Sequence, residues 1–222
     1  MKVTISVHGR WHAFDLASAL YKKGKLNQLI TTYPEFLVRK LIPGQFPIAS
    51  KPGLELRRRL YDNWKVGPKP DLEIAKAFGK FAKKSVMENP GIFVGWSSAT
   101  LEAIEKVKML GGKVVVERGS THIEHQTTVL RTAYEELGCR FEDTHEEIID
   151  RELQEYYAAD AICVPTYFAA ETFIARGIKK EKVFINPYGV DLSQFTQKSF
   201  NNSGLPKRVL FVGAASIRKG IP

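Results

Sequence analysis

Short apolar clusters recur along the chain at intervals that leave room for a helix between them. Residues 2–7 (KVTISV), 26–32 (LNQLITT), 92–96 (IFVGW), 113–117 (KVVVE), 161–164 (AICV), 183–186 (VFIN) and 208–212 (RVLFV) are rich in β-branched and aromatic residues and predict strands. Between them, apolar positions fall at helical spacing. Over 13–23 these are Phe14, Leu16, Ala17, Leu20 and Tyr21, and similar patterns run over 100–110, 123–137, 146–157 and 167–176. The strands do not alternate strictly, which is what a parallel sheet covered on both faces produces. The fold class expected is doubly wound, Rossmann-like α/β.

Two stretches break this rhythm. Residues 34–90 carry Pro34, Pro43, Pro47, Pro52, Pro68 and Pro70 and read as an excursion from the sheet with its own helices, one over 71–87 entered through Pro70. Residues 196–206 (TQKSFNNSGLP) are polar and rich in Asn, Ser, Gly and Pro, so they read as a linker. The division expected is a domain over 1–195, followed by a linker and the first strand of a second domain over 196–222.

The 222 residues suffice for one large domain, or one domain and the start of another. A hydrophobic content of 44% with 26% charged residues fits a globular chain and excludes a disordered or collagen-like one. No apolar run approaches the roughly 20 residues of a spanning helix, and the N-terminus reads as a strand rather than a leader. Cys139 and Cys163 fall in a predicted helix and strand and form no framework, so a cytoplasmic protein with reduced thiols is expected. The net charge of +9 is unevenly placed: residues 1–84 hold 17 Lys/Arg against 6 Asp/Glu, and the remainder 16 against 18. Between positions 51 and 84 there are ten basic and four acidic residues. In the helix expected over 71–87, Leu72, Ala75, Phe78, Ala82 and Val86 take one side and Lys76, Lys80, Lys83 and Lys84 the other. Such a face suits an anionic membrane or substrate, or is simply solvated. No nucleic-acid recognition motif accompanies the charge.

Ligands in this fold class bind at the carboxyl ends of the strands. After the first strand comes His8-Gly9-Arg10-Trp11-His12, where Gly9 permits close backbone approach and a helix N-terminus follows. It is not the G-x-G-x-x-G of dinucleotide sites. After residues 113–117 comes Glu117-Arg118-Gly119-Ser120-Thr121-His122, which gathers a carboxylate, a guanidinium, hydroxyls and an imidazole at one strand end. Both loops are expected on one edge of the sheet, with Gly9, Arg10, His12, Arg118 and His122 facing one concavity. His122, His125, Cys139 and His145 lack the spacing of a tetrahedral metal site, so no metal is expected. Residues 79–85 lack the second glycine of a phosphate loop.

The segments ADAICVPT (159–166) and NPYGVDLSQF (186–195), with FVGAASIRKG (211–220), resemble the "AD.I.VPS", "PYGVDL..F" and "FVGR....KG" segments of glycosyltransferase family 4. The resemblance implies the N-terminal half of a GT-B fold holding the acceptor, and a donor domain of which only the beginning is present, so that the chain alone is expected to be inactive. It implies transfer of a sugar, with retention, from a nucleotide-sugar donor to a glycan or lipid acceptor, as in cell envelope polysaccharide synthesis; the basic excess over 51–84 adds the expectation of a cytoplasmic protein in peripheral contact with an anionic membrane. The nucleotide-sugar is a substrate, and no cofactor is implied. The site residues expected are His122 and Glu117 as catalytic groups, Gly9, Arg10, His12, Arg118 and Ser120 at the substrate, and Gly213, Arg218 and Lys219 at the donor diphosphate. The chain departs from the family in having Ala214 where an Arg is usual, and Glu117 or Arg118 where a His is usual. The alternative is a non-catalytic α/β module that binds a ligand or partner in the same cleft.

Overall fold

Strand β1 (Val3–Val7) lies inside the sheet, pairing with β2 (Leu26–Thr31) on one side and β4 (Ile92–Trp96) on the other. The computed structural model describes residues 1–65, 67–190, 192, 195–196, 209–213 and 215–221. Beyond β2 lies β3 (Ile48–Ser50), and beyond β4 follow β5 (Lys113–Glu117), β6 (Ala161–Val164) and β7 (Val183–Ile185). Among the described residues the sheet has seven strands, ordered β3-β2-β1-β4-β5-β6-β7, and every pair is parallel. The chain therefore winds outward from β1 in one direction and restarts at β4 in the other. The loops after β1 and β4 diverge at this switch point, which opens a crevice at the carboxyl edge.

Eight helices connect the strands among the described residues: α1 (Ala13–Lys22), α2 (Glu35–Leu41), α3 (Pro52–Trp64), α4 (Asp71–Ser85), α5 (Leu101–Met109), α6 (Ile123–Glu136), α7 (Glu146–Ala158) and α8 (Tyr167–Ile174). They cover both faces, and the strand period of two divides the core accordingly. Phe93 packs with Phe78, Val114, Val116, Ile162 and Phe173 on one face. Its neighbours Val94 and Trp96 pack with Ile5, Val7, Phe14 and Leu29 on the other. Apolar side chains point to both faces, so the strands read as continuous apolar runs. The chain is a Rossmann-like α/β fold, as its pattern of strands and helices implies.

Three local expectations change. The excursion is not wholly outside the sheet, because residues 48–50 add the edge strand β3 to β2 (Leu29↔Ile48, Thr31↔Ser50). Of the strand expected over 208–212, Arg208 lies outside the described residues, while Val209–Val212 pair with no strand and are exposed. A strand is held by its ladder, and apolar content without a paired neighbour does not make one. Cys139 lies past the end of α6 and is exposed, whereas Cys163 is buried in β6. Most of the linker expected over 196–206 also lies outside the described residues.

Candidate functional site

The loop after β1 is held by the end of β2: the Gly9 amide donates to Thr32 Oγ1 at 2.9 Å, and Thr31 Oγ1 donates to the Gly9 carbonyl at 3.0 Å. Gly9 adopts φ +113°, a conformation that L side chains rarely take. A Cβ there would also meet the Trp11 indole at 3.1 Å, so the glycine lets that ring lie over the turn. Trp11 itself sits at φ +40°, in the left-handed region that costs a bulky residue strain. Its Nε1 donates to the His8 carbonyl at 3.1 Å, which holds a largely exposed indole in place.

The loop after β5 starts from a buried Glu117. Its carboxylate meets His12, at the start of α1, with Nε2 3.2 Å from Oε1. The imidazole is flanked by Trp96 from β4 (centroids 5.1 Å apart) and by Tyr188 (4.2 Å). Tyr188 comes from the segment after β7, and it fits because residue 119 is glycine: a Cβ there would lie 2.5 Å from its hydroxyl oxygen. Burial first, then the Glu117 charge, pushes the Tyr188 hydroxyl up to about 12 and the Cys163 thiol likewise to about 12. Both stay protonated at neutral pH. With Glu117 accepting a hydrogen bond from Nε2–H, His12 Nδ1 carries a lone pair and is the atom of the cluster free to accept a proton.

Beside this cluster lies a cleft of about 820 Å³ whose lining includes Gly9, Arg10 and Arg118 together with His8, Trp11 and Tyr33. Arg118 is fixed in its wall by Glu152 (3.3 Å), Gln126 Oε1 (3.3 Å) and the Thr121 carbonyl (3.1 Å). His8 has a buried Nδ1 with no partner among the described residues, and burial lowers its pKa to about 4.

The sequence groups Gly9, Arg10, His12, Arg118 and His122 in one concavity, and the structure separates them. Gly9, Arg10 and Arg118 line the cleft, while His12 and Glu117 form the neighbouring pair. His122 faces neither: it is 2% exposed, packs against Tyr156 and Phe173, and caps α6 by accepting the Glu124 amide on Nδ1 at 3.3 Å. His145 caps α7 in the same way, through the Glu147 amide. An imidazole ahead of a helix reads equally as a cleft residue or a cap, and at 122 the cap prevails. Ser120 is half-buried on the same loop. Gly213 is exposed, and Arg218 and Lys219 are exposed on a short 3-10 turn (Ile217–Lys219), none of them lining the cleft. The role of Tyr188 was missed, although it sits in the conspicuous PYGVD run. Among the described residues no group of three or more His, Cys, Asp or Glu is placed to hold a metal ion.

The two depressed histidines give the fold a sign with pH. An unfolded chain protonates His8 and His122 below about 6.5, whereas the folded chain resists until about 4, so both contribute stability at neutral pH that is lost as pH falls through this window. Stability measured by urea unfolding should therefore fall more steeply in the wild type than in His8→Gln between pH 6.5 and 4. The gap should reach on the order of 2–3 kcal/mol. Parallel curves would show that His8 titrates normally in the fold.

No protein-family model matches the chain, and no curated protein matches it. Among solved structures, it superposes on a UDP-N-acetylglucosamine 2-epimerase with TM-score 0.51 at 12% identity, covering 83% of this chain and 47% of that one. A putative UDP-N-acetylglucosamine 2-epimerase from Listeria monocytogenes gives TM-score 0.50 at 13% identity, covering 83% and 45%. The chain thus spans less than half the length of these structures. At such identities the likeness is one of fold.

Proposed function

We propose that this chain is the acceptor-side half of a nucleotide-sugar-dependent glycosyltransferase of GT-B architecture, transferring a sugar with retention to a glycan or lipid acceptor. The observation that carries the reading is the His12–Glu117 pair at the carboxyl edge of the sheet, beside an open polar cleft at the switch point. The family 4 resemblance of residues 186–195 and 211–220 supports it. In this reading the acceptor lies in the cleft, Glu117 orients His12, His12 Nδ1 takes up the proton of the attacking hydroxyl, and retention requires that hydroxyl to attack the sugar from the face the diphosphate leaves. Gly213, Arg218 and Lys219 are assigned to the donor diphosphate, where positive charge offsets that of the leaving nucleotide. The experiment is a transfer assay on the intact protein with labelled nucleotide-sugars, the anomeric configuration of the product being read by proton NMR. Transfer with retention is expected. An inverted product would replace retention by direct displacement, and no transfer from any nucleotide-sugar would overturn the proposal.

The same reading includes peripheral membrane contact through the segment 51–84, and within it we favour α3 over the lysines of α4. Lys76 is paired with Glu147, and Lys83 lies 3.8 Å from Glu105. The outer face of α3, in contrast, exposes Leu56 (59%), Leu60 (41%) and Trp64 (68%) at spacings of four. Among the described residues no helix is long and apolar enough to cross a membrane, so contact would be interfacial. Co-sedimentation with anionic vesicles should fall about tenfold in Leu56→Ser/Trp64→Ser and weaken with salt. No binding to anionic vesicles at low salt would return α3 to an ordinary solvated helix.

A further inference from the structure

The first 84 residues carry a large basic surplus, yet the cleft beside them does not. Four Lys/Arg side chains and five carboxylates line it. The cations are largely neutralised where they stand: Arg58 by Asp62 (2.6 Å), Lys69 by Asp71 (3.0 Å) and Arg118 by Glu152 (3.3 Å). Arg10, at the exposed rim, is the one lining cation without an ion pair among the described residues; deeper in, an anionic ligand would meet the carboxylate of Glu142 and would have to break ion pairs to gain a partner. A neutral ligand with many hydroxyls meets a different surface, in which paired charges act as hydrogen-bond donors and acceptors at no cost in net charge.

Two features mark the rim as built for such a ligand. His8 is held neutral in the wall with Nδ1 buried and unpartnered, an unmet hydrogen-bonding capacity that a hydroxyl can satisfy. Trp11 is 63% exposed, strained at φ +40°, and tethered through its own Nε1 to the His8 carbonyl. An exposed indole held against its conformational preference offers a flat apolar face at a fixed place, suited to the C–H face of a pyranose ring. We infer that the cleft binds an uncharged saccharide, stacked on Trp11 and hydrogen-bonded to His8 and the paired charges around it. This rests on the glycosyl-transfer reading and narrows it, making the part of the acceptor that enters the cleft a neutral glycan rather than an acidic sugar or a phosphate.

The test is titration of the 222-residue chain, followed by tryptophan fluorescence and calorimetry. The probes are neutral gluco-, manno- and galacto-oligosaccharides of three to five units, the corresponding uronic-acid oligomers, and inorganic phosphate. At least one neutral oligomer should bind more tightly than every charged probe, with little change between low and moderate salt. Trp11→Gly, which relieves the strained backbone while removing the ring, and His8→Ala should each weaken that binding at least tenfold, with circular dichroism unchanged. Trp11→Phe should keep most of it, which separates loss of the stacking face from loss of folding. Tighter, salt-sensitive binding of uronic acids or phosphate, neutral binding indifferent to Trp11, or no neutral binding at all would overturn the inference. Transfer by the intact protein to a charged acceptor would sink this inference alone and leave the glycosyl-transfer reading standing. Neutral saccharide binding without transfer would do the reverse.

Discussion

Replacing Glu155 by alanine should destabilise the fold by about 3 kcal/mol or more, the largest single-residue loss expected outside the apolar core. The Glu155 side chain is fully buried on α7 and reaches the turn between β4 and α5. Its Oε1 accepts the amides of Thr100 (2.7 Å) and Leu101 (2.9 Å), and its Oε2 accepts that of Ser98 (2.7 Å). These are donors at the start of α5 that the helix cannot satisfy itself. Burial and the neighbouring Glu152 push the carboxyl up to about 8, against the three amides that favour the anion. Arg151 holds the same turn from one helical turn earlier on α7, through the Ser98 carbonyl (3.1 Å) and Glu102 (2.7 and 2.8 Å). Alanine would leave three buried donors unpaired and a hole beside them. Glutamine should cost roughly half as much, since its amide oxygen still accepts but its NH₂ meets other donors. Urea unfolding of both variants checks this, and a loss below about 1 kcal/mol for alanine would mean that the turn finds other partners.

Under the proposed function, His12→Ala should lower sugar transfer by the intact protein by roughly 10²–10⁴-fold, the usual contribution of a positioned acid–base group. Its effect on the melting temperature should be small, because the His12 side chain is 32% exposed and carries no helix cap. Glu117→Gln should lower turnover in the same direction, since a neutral amide cannot support an imidazolium as a carboxylate does. The informative measurement is turnover beside thermal unfolding for each variant. Activity within about threefold of wild type in His12→Ala, or a loss matched by unfolding, would remove His12 from the chemistry.

The sheet was legible because its signal is local. Six of its strands are short apolar runs separated by helix-length segments, and the parallel arrangement follows from that spacing. β3 was not legible: Ile48–Ser50 is three residues among prolines, and its strand character comes from β2 beside it. The site was half legible. Topology brings the loops after β1 and β5 to one edge, and from sequence alone that places Gly9, Arg10 and Arg118 together. It cannot show that His12 reaches Glu117 across 105 positions, or that His122 turns inward to cap a helix. Charge was the most misleading signal. Composition registers the lysines of α4 but not their partners, and the partner of Lys76 lies 71 positions away on α7.

The pairing of β1 with β4 bears on how the chain folds and where its length can vary. Thr4 Oγ1 donates to the Pro90 carbonyl, 86 positions on, beside the register Val3↔Ile92, so the second edge of the central strand closes only after the whole proline-rich excursion has been looped out. Such non-local closure delays folding, and β1–β4 docking is expected late, after α1 has joined β1 to β2. The equilibrium penalty is mild by comparison, since doubling a flexible loop adds only about 0.6 kcal/mol. Length between β2 and β4 is therefore thermodynamically cheap and kinetically slow. Insertions and deletions among relatives should collect in this segment, which also supplies one wall of the cleft, so that changes in ligand preference need not disturb the sheet.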